Sequence, residues 1–148
     1  MAISNEQLDD FLARYARTLT DLDATAAAEL WSMPGVIADD NFTGVIKARE
    51  SMSQGLERSY PLYQQLGLDS VGYELLDANH LTDALVLAQV RWRFLDSDGA
   101  LLTDSNAYYL IRAEEGGLRA CICIQTDDAE KLQALAASRG VTLPLPSE

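Results

Sequence analysis

The chain has 148 residues, of which 48% are hydrophobic and 23% are charged. These values fit one globular domain over residues 1–148, and they exclude a disordered chain, a collagen and a small disulfide-built scaffold. Acidic residues outnumber basic ones 23 to 11, giving a formal net charge of −12. A phosphate backbone or an anionic membrane would repel such a surface, so we expect neither nucleic-acid nor membrane binding.

The first residues suggest a cytoplasmic protein. They lack the basic and apolar blocks of a secretory signal, and no apolar run reaches the roughly 18–20 residues that cross a bilayer. Cys121 and Cys123 lie two apart in a strand-like segment. Both side chains would then point to the same face, a poor arrangement for a mutual disulfide, so we expect two buried thiols.

The sequence pattern of the N-terminal half predicts helices. Ser4 or Asn5 can cap a first helix, whose apolar residues recur at three- and four-residue spacings up to Leu19. An Ala-rich second helix ends before Pro34-Gly35, and a short extended piece at 36–40 follows. The spacing predicts helices at about 4–20, 23–32 and 45–60, with Pro61 disturbing the continuation of the third.

From Asp69 onward the apolar period changes to two residues, which indicates strands. We predict strands at about 70–77, 84–95, 101–113 and 118–126, then a last helix at about 127–139. If Phe94 lies near Thr103 and Ala113 opposite Leu118, the long strands form an antiparallel meander with one almost wholly apolar face. That face carries Val86, Ala88, Val90, Trp92, Phe94, Ser105, Ala107, Tyr109, Ile111, Leu118, Ala120, Ile122 and Ile124.

This order of elements resembles the nuclear transport factor 2-like superfamily, including its SnoaL-like members. Local patterns that support it are Val90-Arg91-Trp92-Arg93, then Ala107-Tyr108-Tyr109-Leu110-Ile111-Arg112 before an acidic-glycine turn. The resemblance covers about 6–126 and implies an α+β, cystatin-like cone, with N-terminal helices packed on a curved antiparallel sheet around a cavity. Because this fold hosts isomerases, dehydratases, cyclases, binding modules and association domains, it does not define a function.

Aromatic side chains are the first functional candidates. Within such a cone they could line a pocket for a small apolar or aromatic molecule, or they could simply fill the core. The candidate lining residues are Tyr15, Trp31, Met33, Met52, Tyr60, Tyr63, Trp92, Phe94, Ser105 and Tyr109. We therefore predict a small-molecule-binding protein with an apolar, aromatic-lined pocket.

An enzyme is the alternative hypothesis. In ketosteroid isomerases a first-helix tyrosine stabilises an oxyanion and an aspartate of the first strand shuttles the proton. By resemblance Tyr15 matches the tyrosine and Asp39 the aspartate, whereas the second aspartate of those enzymes has no counterpart. A SnoaL-like or isomerase/dehydratase-type enzyme would use Asp39 or Asp40 as general base and Tyr15 as hydrogen-bond donor. A protein-association module is a second alternative.

Other chemistries lack the residues they need. His80 is the sole histidine and lies in a predicted hairpin turn, so no nucleophilic triad and no set of three or four metal ligands can be built around it. Gly116-Gly117 follows two glutamates, which would repel phosphate. We expect no metal and no cofactor.

The second face of the meander suggests a partner. Leu87, Tyr108, Leu110, Cys121 and Cys123 stand there among four arginines and without an acid inside the strands. Aromatic, arginine and apolar residues are typical of interface centres, and relatives of this fold commonly pair through this side. We expect a homodimer, with coverage by the last helix of a monomer as the alternative.

Overall fold

The computed structural model describes residues 2–141. These residues form helices α1 (Asn5–Thr20), α2 (Ala24–Glu29), α3 (Arg49–Gln65) and α4 (Asp128–Arg139). The strands are β1 (Trp31–Ala38), β2 (Thr43–Ile46), β3 (Ser70–His80), β4 (Leu85–Leu95), β5 (Leu101–Glu114) and β6 (Gly117–Gln125).

The six strands build one sheet in the order β2-β1-β6-β5-β4-β3. β1 and β6 run parallel, and the other neighbouring strands run antiparallel. Helices pack on one face of this sheet over the main hydrophobic core, which confirms the predicted α+β, cystatin-like fold. None of the helices in the described part of the chain is long and apolar enough to span a membrane.

Helix α1 follows the sequence expectation closely. Ser4 accepts a hydrogen bond from the backbone N–H of Gln7, and the Gln7 side chain accepts one from the Ser4 N–H, so a capping box begins the helix. The apolar stripe of α1 is buried through Leu8, Phe11 and Tyr15. This stripe points the Tyr15 ring into the space between helix and sheet.

The second helix is shorter than predicted. It ends at Glu29, and Trp31 begins β1 instead of closing the helix. The reason is a tertiary contact: Trp31 pairs in parallel with Ala120, whose backbone N–H donates to the carbonyl of Leu30 at 2.9 Å. The backbone pairing of β1 with β6 outweighs the helix propensity of the Ala-rich segment.

The third helix starts later and ends later than predicted. Val45 and Ile46, expected in the helix, belong to strand β2 and pair with Val36 and Gly35 of β1. The helix then runs through Pro61 to Gln65, because the segment beyond the proline still buries Leu66 against α4.

The register of the meander is as predicted at both turns, with Phe94 opposite Thr103 and Ala113 opposite Leu118. A β-bulge then breaks the alternation of β6: Ile111 pairs with Ala120, but Leu110 pairs with Ile122. The extra residue is Cys121, and it reverses the facing of every residue after it. The predictions that Ile122 and Ile124 face the helices and that Cys123 faces away are therefore wrong.

The bulge makes the outer face of the sheet more apolar than predicted. Two rows of cross-strand neighbours run over β1, β6, β5 and β4, and we call them the outer rows. They are Val36-Ile122-Leu110-Leu87 and Ala38-Ile124-Tyr108-Gln89. Ile124 keeps 41% of its surface exposed, and the other members of both rows are half-exposed.

Helix α4 packs at the end of the sheet where β5 extends beyond β6. The Asp127 carboxylate accepts from the backbone N–H of Asn106 at 2.7 Å and from its side-chain amide at 3.0 Å. The Lys131 ammonium lies 2.5 Å from the Asp104 carboxylate, which also binds Arg91 at 2.7 Å. These bonds place the first turn of α4 along the edge of β5 that β6 leaves free.

Candidate functional site

A cavity of about 160 Å³ lies between the helices and the inner face of the sheet. An apolar cavity of roughly 150 Å³ is large enough to bind benzene. The residues lining it are Tyr15, Leu19, Leu22, Trp31, Ile37, Met52, Leu56, Ser59, Tyr60, Tyr63, Leu68, Val71, Trp92, Phe94, Ser105, Asn106, Ala107, Tyr109, Cys123, Gln125 and Asp128. Its size and lining suit a single-ring molecule.

Two tyrosine–tryptophan pairs form the deepest part of this lining. The indole N–H of Trp31 donates to the Tyr15 hydroxyl at 2.9 Å, and that of Trp92 donates to the Tyr109 hydroxyl at 3.1 Å. The Tyr15 ring centre lies 5.5 Å from that of Trp92 and 6.0 Å from that of Tyr109. Each hydroxyl accepts an indole hydrogen bond and has one hydrogen of its own to donate; that of Tyr109 is directed to the Cys123 thiol.

Burial raises the pKa of both tyrosines above its ordinary value. The indole hydrogen bonds oppose this shift only in part. Tyr15 and Tyr109 therefore remain neutral at physiological pH. They can act as hydrogen-bond donors, and they carry no charge that would attract or repel a ligand.

A third tyrosine presents an unsatisfied group. The Tyr60 hydroxyl is buried and has no hydrogen-bond partner within residues 2–141, while the side chain lines the cavity. Burial raises the pKa of Tyr60, and the carboxylates of Asp23 and Glu57 add to the shift. Leaving a buried hydroxyl unpaired costs about 1–3 kcal/mol, so a ligand atom bonded to it would recover free energy.

Asp128 is the one ionisable carboxyl group among the residues lining this cavity. Burial raises its pKa above the usual range, the neighbouring Asp127 adds to the shift, and the Ser105 hydroxyl opposes it. Asp128 is not among the site residues predicted from the sequence. The signal was the adjacent pair at the start of α4: Asp127 bonds to Asn106, so the second carboxylate is left to face the cavity.

The two aspartates predicted as general base lie elsewhere. Asp39 and Asp40 are exposed in the turn between β1 and β2, where the Asp39 carboxylate accepts from the backbone N–H of Asn41 at 2.8 Å. Neither residue lines the cavity, so the enzyme hypothesis with Asp39 or Asp40 as general base lacks the carboxylate position that it requires. The cause is the early start of β1, which has ended when the chain reaches Asp39.

All but one of the predicted lining residues lie at the cavity wall. Met33 does not line the cavity and packs, half-buried, against the main core. Tyr63 and Phe94 both line it and stack with their ring centres 6.1 Å apart. The other predicted residues at the cavity wall are Tyr15, Trp31, Met52, Tyr60, Trp92, Ser105 and Tyr109.

Cys123 is a lining residue that the predicted alternation missed because of the β6 bulge. Burial raises the pKa of its thiol to about 12, which keeps the group protonated and weakly nucleophilic at neutral pH. His80 is exposed at the end of β3. Across residues 2–141, no three His, Cys, Asp or Glu side chains converge on a position that could hold a metal ion.

Solved structures of other proteins share this fold. A domain of unknown function with a cystatin-like fold from Nostoc punctiforme superposes with a TM-score of 0.66 at 12% identity, covering 92% of this chain and 98% of that one. A ketosteroid isomerase-like protein from Erwinia carotovora gives 0.61 at 10% identity over 84% and 97%. A protein from Catenulispora acidiphila in complex with S-DNPA gives 0.67 at 15% identity over 86% and 96%.

Sequence assigns the family within this fold. The profile of the NTF2-like protein family DUF6841 matches residues 4–128. The chain therefore belongs to this family. No curated protein matches the chain in sequence.

Proposed function

We propose that this protein binds a small, single-ring molecule in the cavity between its helices and sheet. The observation that carries the proposal is the lining itself: aromatic walls, two neutral tyrosine donors and one buried hydroxyl without a partner. Apolar walls with a few convergent polar groups are typical of ligand pockets. The Catenulispora acidiphila neighbour, whose structure is in complex with S-DNPA, supports the proposal.

The unpaired Tyr60 hydroxyl argues for a ligand rather than for simple core packing. A phenylalanine at this position would avoid the cost of an unsatisfied buried polar group. The tyrosine is therefore unfavourable in the free protein and favourable once a ligand atom meets its hydroxyl. A hydroxyl or carbonyl oxygen is the matching group, because it can accept from Tyr60 while the ring packs on Trp92.

Intrinsic fluorescence can test the proposal. Trp31 and Trp92 are the two tryptophans of the chain, and both line the cavity. We expect 2-phenylethanol and acetophenone to change the tryptophan emission saturably. If neither changes the emission, and neither raises the melting temperature up to its solubility limit, the cavity does not bind this class of ligand.

A pair of tyrosine variants provides the control. Tyr60→Phe should raise the free energy of unfolding by about 1 kcal/mol, because it removes an unpaired buried hydroxyl. It should also weaken 2-phenylethanol binding about fivefold or more. Tyr108→Phe removes a hydroxyl from the outer face of the sheet and should change neither quantity.

Proton-transfer catalysis is a second candidate, and Asp128 favours it. An aspartate with a raised pKa beside neutral hydroxyl donors is the arrangement that a general base requires. Such an enzyme would use Asp128 in the role first predicted for Asp39 or Asp40. Exchange of the α-protons of 2-indanone in deuterium oxide tests it: Asp128→Asn should slow exchange about a hundredfold and Asp39→Asn should not.

A further inference from the structure

An acidic depression lies beside the cavity. It is lined by Asp39, Asp40, Asn41, Gln125, Thr126, Asp127, Asp128, Ala129 and Glu130. Gln125 and Asp128 line both spaces, so the depression adjoins the cavity at these two residues. We call this depression, with its five carboxylates, the acidic depression.

No lysine, arginine or histidine of residues 2–141 forms a salt bridge with the carboxylates of the acidic depression. Neither the cavity nor the depression has a lysine, arginine or histidine among its lining residues, and the salt bridges within residues 2–141 involve other acids. Lys131, the nearest basic residue on α4, is bound to Asp104. The positive end of α4 offsets part of the negative potential at Asp128.

The cavity next to this depression independently points to a ligand. Tyr60 lines the cavity and keeps only 9% of its surface exposed, and its buried hydroxyl has no partner within residues 2–141. The aromatic side chains of Trp92, Tyr109 and Tyr63 line the same cavity and suit the ring of a ligand. The ring of such a ligand would lie among these side chains, and its charge would lie beside Asp128.

We infer that the cavity selects a ligand whose positive charge meets the Asp128 carboxylate while its aromatic ring fills the cone, that is, an arylalkylamine. This inference rests on the proposed binding function and adds the charge of the ligand. An ammonium group donates charge-assisted hydrogen bonds to a carboxylate, which are stronger than those of a neutral hydroxyl. The five carboxylates repel an anionic analogue, so we expect it to bind more weakly than the amine and the alcohol.

Three probes of nearly equal shape test the inference: 2-phenylethylamine, 2-phenylethanol and phenylacetate, each titrated against tryptophan emission at pH 7. We expect the amine to bind about tenfold or more tightly than the alcohol, and phenylacetate to bind more weakly than both. Asp128→Asn should bring the amine to within about twofold of the alcohol. Asp40→Asn, a matched change of an exposed carboxylate of the acidic depression, should change the ratio less than twofold.

The wild-type protein offers a second measurement that does not depend on a variant. Acidification protonates Asp128 at a higher pH than an ordinary aspartate, because burial raises its pKa. The amine stays protonated throughout, so its preference over the alcohol should decline as the pH falls from 7 toward 4. A constant ratio over this range contradicts the role of Asp128.

The outcomes separate the two proposals. If the alcohol binds and the amine binds no more tightly, the inference about charge is overturned and the proposed function stands. If none of the three probes binds, both fail. If the amine preference survives in Asp128→Asn, the selectivity does not come from this carboxylate and the inference is overturned.

Discussion

Replacing Trp92 with alanine should cost about 4 kcal/mol of unfolding free energy. The side chain is 3% exposed, and large-to-small changes of buried aromatic residues cost roughly 3–5 kcal/mol. Two local features change this loss of unfolding free energy in opposite directions. The indole already borders an open cavity, which lowers the packing loss, while the Tyr109 hydroxyl loses its donor at 3.1 Å, which adds about 1 kcal/mol.

The measurement is urea unfolding followed by far-ultraviolet circular dichroism, because the change removes one of the two fluorescent reporters. Trp92→Phe is the matched control: it keeps a ring in place and loses only the indole N–H and part of the volume, so it should cost about 1–2 kcal/mol. A loss below about 1 kcal/mol for Trp92→Ala would refute the placement of this side chain in the core. Equal losses for both variants would refute the packing argument.

Further predictions concern the thiols, the α4 anchor and the outer face. Cys121 and Cys123 are free and buried, and the pKa of Cys123 is about 12, so an aromatic disulfide reagent should label two thiols at once in guanidinium and neither within minutes in the native protein at pH 8. Hydrogen bonds from Lys131 and then Arg91 lower the pKa of Asp104. Asp104→Asn should therefore destabilise the protein at pH 7. The urea midpoints should begin to approach those of wild type below about pH 4, where the unfolded carboxyl becomes protonated, and should converge as the pH falls through the lowered pKa of the folded Asp104. We propose that a second copy of the chain covers the outer rows; sedimentation at micromolar concentration should show a dimer, Tyr108→Glu should give a monomer, and a wild-type monomer throughout would refute the dimer.

Short-range patterns were sufficient for most of the architecture. The stripe of α1 and the capping residue Ser4 define a helix with Tyr15 on its buried face, because a 3.6-residue period places these side chains together. Alternation in β4 and β5, joined by a turn at Gly99, places Trp92 and Tyr109 on one face. The aromatic wall of the cavity therefore follows from residues that are local in sequence.

Tertiary contacts decided the structural features that local sequence patterns could not predict. Trp31 begins a strand because it pairs with a residue far along the chain, and no local pattern reveals a parallel partner. The bulge at Cys121 reverses β6 and brings Cys123 to the cavity, since a single extra residue changes the parity of all that follow. Asp128 reaches the cavity only because Asp127 and Lys131 anchor α4 beside the end of β5. Sequence alone thus determined the cone and most of its aromatic wall, while long-range pairing and helix docking decided which acid faces its interior.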